Sequence, residues 1–191
     1  TTPAPKATTC HCESHGHAMA PKGAPIVALV GAPNAGKSTL FNSLTGAKAR
    51  MGNWPGTTVE VSRGAWKQSK DVTYDVIDFP GAYSLDPMSP DEELTRNLVI
   101  DAAEQDRPDL VIIAVDASSL SRSLYMVAQL TEQENRLVVV MTKADVAAAN
   151  GEEINSEKLS EQLGIPVVPV DPRHRSNVDK IAAVEIGRAH V

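Results

Sequence analysis

The octapeptide Gly31-Ala32-Pro33-Asn34-Ala35-Gly36-Lys37-Ser38 carries glycine at its first and sixth positions and closes on a lysine and a hydroxyl residue. That spacing suits a triphosphate. Glycine tolerates the left-handed backbone that lets consecutive N–H groups turn inward around phosphate oxygens. Ala35, Gly36, Lys37, Ser38 and Thr39 are therefore expected to present their amides to the anion. Lys37 would place an ammonium between the β- and γ-phosphates, and Ser38 would offer its hydroxyl to magnesium. A helix starting here aims its positive end at the same charges.

Two later segments fit the same chemistry. Asp78-Phe79-Pro80-Gly81 stands at the end of an apolar run. An aspartate there reaches magnesium through water, and the Gly81 N–H can meet the γ-phosphate. Alone this tetrapeptide could be a plain turn. Thr142-Lys143-Ala144-Asp145 closes another apolar run. Its carboxylate can accept from guanine N1 and N2, while the Lys143 stem lies along the base. A surface loop is the bland reading of this segment, but its order after the other two favours guanine.

Elements that would position these groups follow from the apolar pattern. Ile26–Val30 is a short continuous apolar run, as expected of a strand buried on both faces. A helix is predicted from Lys37 to Thr45. Val59–Gln68 and Val72–Phe79 read as two strands joined by Ser69-Lys70-Asp71, a link short enough to require antiparallel pairing. Pro90-Asp91-Glu92-Glu93 reads as an acidic helix start. Leu110–Val115, Leu137–Met141 and Val167–Val170 are further strands. Helices are predicted over 121–132, over 156–163 with Gly164 as the cap, and over 177–184. Alternating strands and helices predict an α/β fold: a mainly parallel six-stranded sheet, one antiparallel edge strand, and helices on both faces.

Bulk properties narrow the function. A chain of 191 residues with 42% hydrophobic content is enough for one well-buried domain. A net charge of -6 and 4% aromatic residues disfavour nucleic acid as a partner. No stretch reaches the roughly 18 apolar residues of a membrane span, and Thr1–Thr9 lacks the apolar core of a secretory signal. The only two cysteines, Cys10 and Cys12, give no disulfide framework, which fits a soluble domain in a reducing compartment.

More specific is Gly52-Asn53-Trp54-Pro55-Gly56-Thr57-Thr58-Val59-Glu60, which resembles the first switch of the FeoB family of ferrous iron transporters. Asp78-Phe79-Pro80-Gly81-Ala82-Tyr83-Ser84-Leu85 is similar to that family's second switch, and Leu163–Pro169 to its final strand. The resemblance covers Pro25 to Val184. It implies a P-loop GTPase fold, a G domain over residues 25–185, and a GTP-hydrolysing regulatory role that uses GTP/GDP, magnesium and potassium. By the same resemblance Thr58 joins Ser38 and Asp78 as a magnesium ligand. Asn34 holds potassium, with the Gly52 and Trp54 carbonyls completing its cage. Lys37, Asn34, Thr58 and Gly81 are then the catalytic group. On their own residue types, Asn34 could simply stabilise the loop and Trp54 could be a hydrophobic anchor. The family continues into a helical regulatory domain and a membrane region, which with small Feo accessory proteins would be the partners. The expected place is the cytoplasmic face of a bacterial inner membrane, as part of a full-length protein that can oligomerise. The last residues, 186–191, would then mark a remnant or truncation point.

Three departures matter. Ala82 stands where related switches carry a water-orienting glutamine, so slow turnover is expected. Thr142 replaces an asparagine common in the family. Asp171-Pro172-Arg173 occupies the loop where an alanine N–H ordinarily meets guanine O6, and Pro172 has no N–H to donate. One missing donor costs about 1–3 kcal/mol, so weak guanine binding and relaxed discrimination against ATP are expected.

Residues 1–24 read as a flexible tail. Within it Cys10, Cys12, His15 and His17 could bind a soft or borderline transition metal, or form only a polar tail. His174 and His190 are expected to face solvent. Rival functions are a ribosome- or tRNA-directed GTPase, a nucleotide-gated switch with negligible hydrolysis, and an ATP-dependent small-molecule kinase. Acidic charge weighs against the first, and no clamping arginine cluster supports the last.

Overall fold

The computed structural model describes residues 19–54, 57–86, 88–101, 107–133 and 135–188. Among the described residues seven strands form a single sheet: β1 (Ile26–Gly31), β2 (Arg50–Asn53), β3 (Glu60–Lys67), β4 (Thr73–Asp78), β5 (Leu110–Asp116), β6 (Leu137–Thr142) and β7 (Val167–Pro169), in the order β2-β3-β4-β1-β5-β6-β7. Around it lie α1 (Lys37–Thr45), α2 (Pro90–Arg96), α3 (Leu120–Thr131), α4 (Ala144–Ala149), α5 (Ser156–Leu163) and α6 (Arg175–Arg188).

The α/β class and the antiparallel β3–β4 pair are as the sequence predicts. The sheet has seven strands rather than six. The addition is β2, which pairs antiparallel with β3 from Arg50↔Arg63 to Asn53↔Glu60, so β3 is not the edge. All four β2 residues are exposed, so no apolar alternation announces the strand, and only pairing with β3 defines it. The short α4, directly after β6, also lies outside the sequence-based prediction.

Continuous apolar runs become strands buried on both faces because successive side chains point to opposite sides. Ala28, Val30, Val111, Ile113, Val115, Val139 and Met141 fill one core with Met126, Val127 and Leu130 of α3. Val27, Leu29, Leu110, Ile112, Ala114, Val138 and Val140 fill the other with Leu40, Phe41 and Leu44 of α1 and Ile181 of α6. Each fully buried aliphatic side chain contributes roughly 1.5–3 kcal/mol. The two packed faces thus hold rigid the carboxyl ends of β1, β4, β5 and β6, where the chemical motifs stand.

Local signals set the helix ends. Gly36 (φ 78°) opens α1 and Gly46 (φ 67°) closes it. Ser89 caps α2 by accepting from the Glu92 N–H, with Pro90 in the first turn. After α2 the chain widens into a π-helical turn, Asn97–Asp101. Among the described residues, no helix is long and apolar enough to cross a membrane.

Candidate nucleotide site

The β1–α1 loop borders a cavity at the carboxyl end of the sheet. Asn34 (φ 65°) and Gly36 (φ 78°) both take the left-handed conformation. Between them the Ala35 N–H donates to the Ala32 carbonyl at 3.2 Å, so this amide is used within the loop rather than presented to an anion as the sequence predicts. Ala32, Pro33, Asn34, Gly36, Lys37, Ser38, Thr39, Gly81 and Lys143 line a cavity of about 500 Å³. Gly31 passes so close to β5 that a Cβ would overlap the Ala114 carbonyl.

Lys37 is buried. Its ammonium donates to Asp78 Oδ1 at 2.8 Å and to the Phe79 carbonyl at 2.5 Å. Burial raises the Asp78 carboxyl above the usual aspartate value, against the opposing pull of the Lys37 charge and hydrogen bond. Gly81 packs on Pro33: an added Cβ would stand 2.9 Å from the Pro33 backbone nitrogen. Ala82 is buried, and its N–H donates to the Gly31 carbonyl at 3.1 Å. The residue in the glutamine position therefore pins the second switch to the phosphate loop.

At the base side, Thr142 is only 1% exposed. Its hydroxyl lies 2.8 Å from the Ala35 carbonyl and 3.2 Å from that of Val115. It supports the phosphate loop from behind instead of facing a base. Lys143 sits at φ 55° and donates to the Asn34 carbonyl at 2.7 Å and to Asp116 Oδ2 at 2.6 Å. Burial opposes ionisation of Asp116, but the hydrogen bonds from Lys143 and Ser118 outweigh it and hold its carboxyl low. Sequence reasoning missed Asp116. An aspartate closing an all-apolar strand was the available signal. Asp145 and Asp171 converge on Arg173 at 3.0 and 2.8 Å, so the two base-side loops meet. Pro172 is buried and its carbonyl accepts from Ser43 Oγ.

The first switch is placed apart. The Trp54 carbonyl accepts from the Thr57 N–H at 3.0 Å and lies 3.1 Å from the Thr57 hydroxyl. Gly52 is held in β2 opposite Val61. Thr58 lines a separate cavity with Pro90, Glu93 and Asn97. Thr58, Gly52 and Trp54 are therefore not gathered with Asn34 at the cavity beside Lys37, because β2–β3 pairing and the Thr57 contact to the Trp54 carbonyl hold this backbone. The Trp54 ring packs against Phe79 at 6.0 Å, with the Arg63 guanidinium 5.8 Å from its centre, as a hydrophobic anchor would. His174 is exposed, as expected. Cys10, Cys12, His15, His17 and His190 lie outside the described residues, and among the described residues no cluster of metal-ligating side chains occurs.

The family described as "Ferrous iron transport protein B" matches residues 25–184. This chain belongs to the FeoB family. It is 41% identical over 143 residues to the Fe(2+) transport protein A/Fe(2+) transporter FeoB fusion protein of Porphyromonas gingivalis, covering 75% of this chain and 16% of that protein. With the Fe(2+) transporter FeoB of Salmonella typhimurium it shares 40% over 144 residues, 75% of this chain and 18% of the relative. The chain thus spans less than a fifth of these FeoB relatives. The G domain of T. maritima FeoB superposes with a TM-score of 0.77 at 36% identity, covering 87% of this chain and 99% of that one. An S. thermophilus NFeoB mutant bound to GDP superposes with a TM-score of 0.73 at 38% identity, over 84% of this chain and 61% of the other. The seven-stranded fold described above is that of a FeoB G domain.

Proposed function

We propose that this G domain binds GTP and GDP with magnesium and hydrolyses GTP slowly. In that reading it is the regulatory part of a ferrous iron transporter, at the cytoplasmic face of a bacterial inner membrane. A helical domain and membrane region of a longer parent chain would be its partners. The observation that carries the nucleotide reading is the left-handed loop from Asn34 to Gly36 beside Lys37. It is a cradle of amides and one ammonium that suits a polyphosphate.

The donor set also fits magnesium. Ser38 offers a hydroxyl at the cavity and Asp78 a carboxylate against Lys37. Oxygen ligands of this kind suit a hard cation, which when bound would neutralise charge on the phosphates. On this reading Lys37 exchanges its bonds to Asp78 and Phe79 for phosphate oxygens, freeing the carboxylate. In the same reading the Gly81 N–H, at the lining of the same cavity, would meet a terminal phosphate, and the loop amides would hold the rest of the chain of phosphates. Ala82 cannot orient water, so hydrolysis relies on backbone donors and is slow.

Potassium is a separate expectation. Asn34 lines the cavity, but the Gly52 and Trp54 carbonyls do not reach it in this conformation. Stimulation by potassium requires the end of β2 to leave its pairing, which a four-residue exposed edge allows. Thr58 would reach the phosphates by the same movement. The buried, pinned Ala82 favours a second reading, a GTP-gated switch with negligible hydrolysis.

The experiment is phosphate release under saturating GTP, in KCl and in NaCl, for the wild type and Asn34→Ala. Release that is faster in KCl and loses this advantage in Asn34→Ala supports the full reading. Equal rates in both salts remove the potassium role. No release in either salt, with GTP still bound, leaves the switch reading in its place.

A further inference from the structure

Guanine and adenine differ most sharply at position 6, where guanine carries an acceptor oxygen and adenine a donor amino group. Asp145 can take the N–H donors of guanine, as the sequence predicts, and this inference rests on that contact and on the GTP and GDP binding proposed above. O6 then needs a donor close to that carboxylate. The Pro172 backbone cannot give one. The next residue can. Arg173 Nε donates to Asp171 Oδ1 at 2.8 Å, and Nη2 donates to Asp171 Oδ2 at 2.8 Å and to Asp145 Oδ2 at 3.0 Å. The Arg173 N–H also meets Asp171 Oδ1 at 3.0 Å, so the side chain is forked onto its own loop while reaching the other.

A guanidinium has five N–H donors in a rigid plane. Three are used in these contacts. The two on Nη1 donate to no group among the described residues. We propose that Arg173 is the specificity-determining donor to guanine O6. It takes over the contact that Pro172 withholds and sets donor against donor when adenine is presented. Asp171 is its positioning residue, holding the plane beside Asp145 before any base arrives. Part of the discrimination lost at Pro172 is thereby recovered.

Titration calorimetry of the wild type, Arg173→Ala and Asp145→Ala tests this with four ligands: GDP, 6-thio-GDP, IDP and ADP. The 6-thio base weakens the acceptor at position 6 while keeping the N1 and N2 donors, and IDP keeps O6 while losing the N2 amine. Arg173→Ala should weaken GDP and IDP about tenfold, a shift easily resolved, and change 6-thio-GDP and ADP far less. Equal losses for GDP and 6-thio-GDP overturn the proposal, as does tighter GDP binding, which would mean that the guanidinium merely occupies Asp145. If Asp145→Ala leaves the GDP-to-ADP ratio unchanged, the underlying base reading fails. If that ratio falls but Arg173→Ala is silent, only the O6 assignment fails.

Discussion

Lys37 Nζ lies 2.8 Å from Asp78 Oδ1, so the ammonium of the first motif is tied to the carboxylate of the second across the mouth of the sheet. Both side chains are largely shielded from water. Removing one partner of such a pair leaves the other buried and uncompensated. Burial already raises the Asp78 carboxyl, with Lys37 pulling it back. Lys37→Ala should raise it further. A carboxyl raised in the folded state stabilises that state below its unfolded value, about 3.9, and the stabilisation disappears as pH rises through the folded value. Thermal unfolding of Lys37→Ala followed against pH should therefore show a loss of stability on raising pH that extends higher than in the wild type. Lys37→Ala/Asp78→Asn should remove that dependence. Both variants should bind GDP roughly 10- to 100-fold more weakly, as expected for lost charge-assisted contacts.

The two loop glycines should fail differently. A Cβ at Gly31 would overlap the Ala114 carbonyl in the neighbouring strand. Gly31→Ala should thus cost about 1–3 kcal/mol by overpacking, seen as a lower chemical denaturation midpoint. A Cβ at Gly36 would rest 3.6 Å from Thr142 Cγ2, an ordinary contact, so only its φ of 78° opposes substitution. Gly36→Ala should cost roughly 1–2 kcal/mol and act mainly on nucleotide affinity. Equal denaturation midpoints for both variants and the wild type would contradict the crowding at β5.

Thr142→Val keeps the shape and removes a hydroxyl bonded behind the phosphate loop. The expected loss is about 1–3 kcal/mol, since the carbonyl partners are buried. It should appear both in unfolding and in faster GDP dissociation measured by stopped flow. A variant with unchanged dissociation would show that Thr142 acts in the core alone.

Asp171 is held down to about 2 by the Arg173 side chain and by the Arg173 N–H. A depressed carboxyl gives stability that is present above its unfolded value and lost as pH falls toward the folded one. Carboxyl carbon NMR titration should therefore keep Asp171 ionised well below pH 3.9 in the wild type. In Arg173→Ala its midpoint should rise toward the ordinary aspartate range. An unmoved midpoint would mean that the fork seen between the two side chains does not persist in solution.

Motifs were legible in the chain because each asks for special residue types at fixed separations. Gly31, Gly36 and Lys37 announce the cradle by the backbone freedom and charge it demands, and the apolar runs around 26–30, 110–115 and 137–141 announce strands buried on both faces. The strand Arg50–Asn53 was not legible, because its residues bury nothing and only the partner strand defines it. Nor was Asp116, whose role comes from Lys143 reaching it across 27 positions. The amino-acid order by itself thus determined the fold class and the family resemblance, and set the expectation of phosphate chemistry, all carried by local patterns. Tertiary structure alone decided which partners meet: Lys37 with Asp78, Arg173 with Asp145, and the Trp54 carbonyl with Thr57 and not with Asn34. Such meetings depend on sheet order and strand register, which bring distant residues within hydrogen-bond reach and leave no trace in local spacing.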